Sequence, residues 1–425
     1  MARKSTYNIL MYSHDTYGLG HIRRTLAIAS QLRTPNVNIL ILTGSPIVGR
    51  FDFPPQIDFV RVPGMIKMTN EEYLPLSIKI NVRHALKIRQ TIITGTAKAF
   101  KPDLFIVDKA PLGLKREIIP TLQWIRRGHP RTRTILGLRD IMDDAESTQK
   151  DWEEKGVYDV LDQYYSEIWV YGNQEFYDPI REYNIPETTS RKMIFTGYIP
   201  RKVARPGEIR EVRREQRLDP GEKLVVVTTG GGGDGYAHMD AFLTMLEQGG
   251  KSPPLRTVIV TGPFMPKQRR AEIFARSKAL QIRAYRFYRR MERLIGAADV
   301  VVSMGGYNTV CEILSQGKAS LIIPREKPRR EQLIRAQVLH EHNLADFIPW
   351  QQLNPSLIRD KLLALLEHPE PYHQAVQEFE FTGLVVMRQR LAEFRGQNSE
   401  ISKPLRVEQN WQPYFSSRTM MKKRV

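Results

Sequence analysis

Residues 300–312 read Val-Val-Val-Ser-Met-Gly-Gly-Tyr-Asn-Thr-Val-Cys-Glu, and this stretch decides how the chain is read. A β-branched run ends at Ser303, Gly305 and Gly306 turn the backbone, and helical spacing begins at about Tyr307. Strand, tight turn and helix form the local unit of a parallel α/β sheet. The first turn of such a helix offers free amides at the positive end of its dipole, which suits a diphosphate without a metal. The Asn308 and Thr309 side chains lie beside those amides. Glu312, about one turn further, can accept hydrogen bonds from vicinal ribose hydroxyls. Cys311 reads simply as a core residue.

The same alternation extends both ways along the chain. In the second half, Leu224–Thr228, Arg256–Val260, Ile282–Tyr285, Val300–Ser303 and Ser320–Ile323 read as strands. Helices fit between and after them at 236–247, 268–278, 289–297, 306–316 and 330–343. In the first half, Tyr7–Tyr12, Val37–Leu42, Asp58–Val62, Leu104–Val107, Thr134–Leu138 and Glu167–Tyr171 read as strands. A helix starts near His21, and Glu71–Phe100 has helical spacing with breaks at Pro75 and Gly95. Residues 200–222 are charged, carry Pro200, Pro206 and Pro220, and read as a connector with a polar helix. The fold class is therefore α/β: two Rossmann-like parallel-sheet domains, 1–197 and 198–395, facing a central cleft. A basic tail, 396–425, follows. The length of 425 residues agrees with two domains at roughly 150–200 residues each.

Three further segments carry candidate chemistry. Gly230–Gly233, followed by Asp234-Gly235, sits after the strongest strand of the second half and exposes backbone N–H groups that can cradle phosphate. It is not a P-loop, since no Lys-Ser/Thr follows. Glu331-Gln332, at a helix start after Pro324, is a polar pair suited to sugar hydroxyls. Ser13–Arg24 (SHDTYGLGHIRR) is a strand-to-helix turn with Gly18 and Gly20. Its third fingerprint position is Arg23 instead of glycine, and Leu42-Thr43-Gly44 lacks a ribose-binding carboxylate, which disfavours a nicotinamide dinucleotide. His21, at the helix start, is kept neutral by the dipole and can serve either as a general base or as a structural cap. Asp108 ends a buried strand, where it can orient that imidazole or cap a helix before Pro111. The acids of Arg139–Asp144 can line the cleft or form a solvated turn. Tyr285–Arg290 mixes aromatics with arginines, as a nucleobase-side loop or a nucleic-acid groove does. Arg126, Arg127, Arg131 and Arg133 can contact anionic headgroups, though such a run is more often a solvated face.

Composition bounds the partners. Lys plus Arg number 64 against 46 Asp plus Glu, a formal charge of +18 that attracts polyanions. A single cysteine excludes internal disulfides and a Cys-rich metal site, as expected of a reducing, cytoplasmic compartment. No apolar run approaches the roughly 18–20 residues of a transmembrane helix, and the N-terminus has no signal-peptide pattern. A hydrophobic fraction of 41% excludes wholesale disorder.

Met304–Ala336 resembles the donor-binding signature of GT-B glycosyltransferases. The similar families are glycosyltransferase family 28, which holds the peptidoglycan lipid-intermediate GlcNAc transferases, and the UDP-glycosyltransferases. The shared pattern falls on Gly306, Asn308, Thr309, Glu312, Pro324, Glu331, Gln332 and Ala336. A Gly-x-Gly-His falls on Gly18, Gly20 and His21, and the Gly-rich turn on 230–235. The resemblance implies an inverting, metal-independent transfer of sugar from a nucleotide-diphosphate sugar, UDP-linked by default, with no other cofactor. It implies a donor site of Gly231, Gly232, Gly305, Gly306, Asn308, Thr309, Glu312 (ribose), Glu331 and Gln332 (sugar). Gly18 and Gly20 form an acceptor-side loop, His21 activates the acceptor, and Asp108 supports it. The acceptor would be a hydroxyl on a molecule such as a glycolipid or polysaccharide precursor, met at the inner face of an anionic membrane. Three departures stand out: Met304 where plant-type enzymes place a diphosphate-binding His, Arg335 for the usual Asn, and Tyr307 for Trp or a small residue. Two rival readings are a nucleotide-sugar epimerase of the UDP-GlcNAc 2-epimerase type and a non-catalytic protein held by charge to nucleic acid or membrane. Nucleic acid is the partner least favoured, because charge alone would not require an ordered set of sugar-site residues.

Overall fold

The computed structural model describes residues 6–14, 20–67, 73–249 and 255–396; Gly18 and residues 397–425 of the tail lie outside them. The first sheet contains β1 (Tyr7–Ser13), β2 (Val37–Thr43), β3 (Ile57–Arg61), β6 (Leu104–Asp108), β7 (Arg133–Arg139), β8 (Glu167–Tyr171) and β9 (Met193–Phe195). All pairs are parallel, in the order β3-β2-β1-β6-β7-β8-β9. Between them β4 (Met65–Lys67) and β5 (Tyr73–Pro75) form an antiparallel hairpin. The second sheet runs β12-β11-β10-β13-β14-β15, also parallel. Its strands are β10 (Lys223–Thr228), β11 (Leu255–Val260), β12 (Arg283–Tyr285), β13 (Val300–Ser303), β14 (Ala319–Ile322) and β15 (Asp346–Phe347). Helices cover both faces of each sheet, so the central strands are apolar without alternation: every residue of β6 is buried, and β10 is buried from Leu224 onward. Each fully buried Val or Leu in these strands contributes about 1.5–3 kcal/mol.

This strand order positions the site. In the first sheet the chain winds outward from β1 to β3, then returns to place β6 on the other side of β1. In the second it winds from β10 to β12 and returns at β13. Ligands bind outside the carboxyl ends of strands at such reversals. The helix Gly20–Leu32 follows β1, and Asp108 closes β6. The Gly-rich loop follows β10, and the Gly305-Gly306 turn follows β13. The Gly-rich loop and the Gly305-Gly306 turn thus both stand at the switch point of the second sheet, and the turn into the helix at Gly20 stands with Asp108 at that of the first.

The stretch expected to be helical from Glu71 to Phe100 divides instead. Pro75 ends the short strand β5, and the helix begins only at Val82, where the Asn81 side chain accepts from the His84 amide at 2.7 Å. It then runs through Gly95 without a break. Gly95 is solvent-exposed and a Cβ there would meet nothing, so its backbone joins the helix at a modest entropic cost.

A linker after β9 joins the sheets, and the chain crosses back at its end. The helix Gly383–Phe394 sends Met387 and Leu391 into the core of the first domain. Phe394 stacks on Trp169 at 6.5 Å, and Arg390 pairs with Glu167. The interface carries a buried polar network. Asp140 and Arg335, both fully buried, lie 3.7 Å apart across it, and the Tyr198 hydroxyl donates to Asp140 at 2.7 Å. Arg335 also donates to the carbonyls of Gly305 and Ile141, each at 3.3 Å. Tyr198 stacks on Tyr307 at 5.7 Å. The Arg139–Asp144 acids are therefore not a solvated turn: Asp140 is sealed between the domains, and Asp143 accepts from the Arg330 amide at 2.7 Å. Among the described residues, no helix is long and apolar enough to cross a membrane.

Candidate active site

A cleft of about 540 Å³ lies between the two switch points. Gly20, Gly231, Gly232, Gly306, Asn308, Thr309, Glu312, Glu331 and Gln332, each singled out in the sequence, all line it. Gly306 caps the helix Tyr307–Ser315 without any side-chain hydrogen bond, so the first amides of that helix are left for a ligand. Gly305 supports the wall from behind: its φ is +76°, and a Cβ would come within 2.8 Å of Ile322. Gly20 is needed for another reason, because a Cβ there would fall 2.3 Å from the Asn308 amide nitrogen of the other domain.

At the far end of the cleft, Arg325 joins three loops. Its guanidinium meets Asp234 of the Gly-rich turn at 2.6 Å and Glu331 at 2.7 Å. The other Glu331 carboxylate oxygen is buried without a partner. Gln332 accepts from the Arg325 amide at 3.1 Å through its side-chain carbonyl, so it offers the cleft its N–H groups. Phe264, Phe287 and Tyr288 line the wall at the Gly-rich end, as flat surfaces for a base. Met304 lines the cleft too and brings no charge. Among the described residues, no group of three His, Cys, Asp or Glu side chains is gathered as a metal site.

On the first-domain side, His21 Nδ1 lies 2.6 Å from Asp108 Oδ2. Burial alone would raise the Asp108 carboxyl, but the Arg24 guanidinium and the His21 ring hold it well below the usual carboxylate range. An ionised carboxylate only accepts, so Nδ1 of His21 carries the proton and Nε2 presents a lone pair. Burial brings the His21 pKa down to about 4 against the pull of Asp108, and the neighbouring Arg24 adds to the fall. Arg24, itself buried, grips both Asp108 oxygens at 2.9 and 2.8 Å. Its guanidinium also stands 5.8 Å from the Tyr307 ring, so one arginine touches the dyad and the start of the donor-side helix. Chemically, this arrangement can offer a neutral, oriented base beside a helix start able to hold an anion. His21 and Asp108 do not line the cleft themselves; they adjoin it through Gly20.

Several participants carry no signal in the sequence. Arg23 donates to Glu312 at 2.9 Å, and Arg201 of the linker holds the Asn308 side-chain oxygen. His14 sets its ring 5.8 Å from that of His21, and burial, then His21, pushes its pKa well down. Charged residues next to glycines read as solvated until the tertiary structure supplies their partners. Arg23 alone gives a hint, since it stands where a Gly-x-Gly-x-x-Gly turn would place its third glycine.

Known proteins share the fold and part of the sequence. Residues 225–386 match the glycosyltransferase family 28 C-terminal domain. The UDP-N-acetylglucosamine--N-acetylmuramyl-(pentapeptide) pyrophosphoryl-undecaprenol N-acetylglucosamine transferase of Streptococcus sanguinis is 33% identical over 107 residues, 23% of this chain and 30% of that protein. The chain thus aligns with 24–30% of the length of such curated relatives. Among solved structures, Acinetobacter baumannii MurG superposes with a TM-score of 0.57 at 13% identity, covering 92% of this chain and 100% of that one. TcCGT1 in complex with UDP gives 0.65 at 12% identity, covering 92% and 100%. A UDP-N-acetylglucosamine 2-epimerase gives 0.60 at 12% identity, covering 93% and 98%. The fold is GT-B, and residues 225–386 match the C-terminal domain of glycosyltransferase family 28, one of the families the sequence resembles.

Proposed function

We propose that this protein transfers a sugar from a UDP-linked donor to a hydroxyl of a lipid-linked or polysaccharide acceptor, with inversion and without a metal. The observation that carries the reading is the convergence on one cleft of an uncapped helix start, Glu312, the Glu331-Gln332 pair and, through Gly20, the His21–Asp108 dyad. Diphosphate meets the amides of Tyr307–Thr309, ribose meets Glu312, and the sugar meets Gln332. His21 takes the acceptor proton as the anomeric bond to the diphosphate breaks. The amides hold the charge that develops on the departing nucleotide.

A lipid-borne acceptor fits the surface of the first domain. Leu74 and Ile78 are exposed beside Lys79, Arg83 and Lys87, all solvent-facing, an apolar and cationic combination suited to an anionic membrane. The 2-epimerase reading shares the fold, and it needs no acceptor. A thermal-shift screen against UDP-, GDP- and dTDP-sugars tests the donor assignment, because a ligand specific to the folded state raises its stability. UDP-sugars are expected to raise the melting temperature, and Glu312→Ala to remove most of that shift. An equal shift in Glu312→Ala would place the ribose elsewhere.

A further inference from the structure

The geometry points to Arg23 as a ligand of the donor diphosphate, one that here pairs with Glu312 and exchanges that carboxylate for phosphate oxygens when the ribose takes Glu312. The inference rests on the reading of the cleft as a nucleotide-sugar site.

Both partners line the cleft: Arg23 from the first domain and Glu312 from the second. The Arg23 Nη1 to Glu312 Oε1 contact of 2.9 Å occupies an oxygen that a ribose diol would require. A ribose seated there displaces the guanidinium and leaves a partly buried cation in need of an anion. Asn308 stands four residues before Glu312 on the helix Tyr307–Ser315, so the amides that suit the diphosphate lie about one turn, roughly 5.4 Å, from the carboxylate. A long arginine side chain spans such a shift without backbone movement. The Arg23 backbone is tied in place, since its carbonyl accepts from Arg201 at 3.4 Å.

The other cations of the cleft are differently committed. Arg325 is held by Asp234 and Glu331. Arg139 lines the cleft beside Glu331 without a hydrogen bond to it, on the side where the sugar rather than the diphosphate is placed. Met304 offers no charge beside the helix start, and the nearby Arg24 and Arg201 are engaged with Asp108 and with the Asn308 side chain. The exchange satisfies both groups at once: Glu312 gains two hydroxyl donors, and Arg23 gains an oxyanion that matches its planar fork.

Titrations of the full chain with uridine and with UDP test the exchange. Wild-type protein is expected to bind both. In Arg23→Gln, UDP affinity should fall about tenfold, the loss of one charge-assisted contact. Uridine affinity should hold or improve, because Glu312 no longer has a competitor. Arg23→Lys, which keeps the charge without the fork, should bind UDP with intermediate affinity and guards against misfolding of the glutamine variant. Equal weakening of uridine and UDP would reduce Arg23 to a brace for the pocket and overturn the exchange. Unchanged or tighter UDP binding would make it only a competitor and overturn it too. Failure of the wild type to bind either probe would instead overturn the nucleotide-sugar reading beneath it.

Discussion

Replacing His21 by alanine is expected to lower turnover by about 10²–10⁴-fold while leaving nucleotide affinity nearly unchanged. The imidazole lies on the first-domain side, outside the lining of the cleft, and its Nε2 is the lone pair left free by the bond to Asp108. Asp108→Asn should reproduce much of the loss, because an amide no longer imposes the Nδ1–H tautomer. The pH profile separates a base from a structural histidine. The reactive form is the neutral one, and burial sets the His21 pKa at about 4. Activity should therefore persist as pH falls past the ordinary histidine range near 6.5 and decline only as it approaches 4. Unchanged kcat in His21→Ala would remove the proposed base.

Asp140→Ala should destabilise the protein by about 3–5 kcal/mol, the cost of removing one partner of a buried ion pair. Asp140 and Arg335 are both fully buried, and the substitution strands the guanidinium along with the Tyr198 hydroxyl. Because the pair bridges the domains, donor affinity should fall with stability, since Arg335 also holds the Gly305 carbonyl beneath the donor-side turn. Denaturant unfolding of Asp140→Ala, Arg335→Ala and the double variant gives the coupling. The double variant should be less destabilised than the sum of the two single ones. Simple additivity would mean that the two side chains act independently.

Much of the fold was legible because parallel strands buried on both faces must be apolar without interruption. Leu104–Val107, Leu224–Thr228 and Val300–Ser303 announce themselves in this way. Short strands do not: β9 and β15 span three and two residues and owe their pairing to neighbours. Nor does the sequence tell which domain the helix Gly383–Phe394 will cover, since its apolar stripe fits either core. The site divides along the same line. Glu312, Gln332 and the glycine turns are legible because their chemistry needs those residue types at set distances along the chain. Arg24, Arg201 and Arg335 are not, for they find Asp108, Asn308 and Asp140 across 84 to 195 residues of sequence. In a chain with 64 Lys and Arg, only the tertiary structure selects those few. Arg335, a departure from the family pattern, proves to be a tie between the domains.

Incubation of the protein with UDP-N-acetylglucosamine labelled in the sugar, together with a bacterial lipid extract, puts the proposed chemistry to the test. Sugar transfer to a lipid predicts stoichiometric release of UDP and passage of the label into the organic phase, both lost in His21→Ala. Label that remains water-soluble as an isomerised sugar, formed equally without the extract, would contradict it and favour the epimerase.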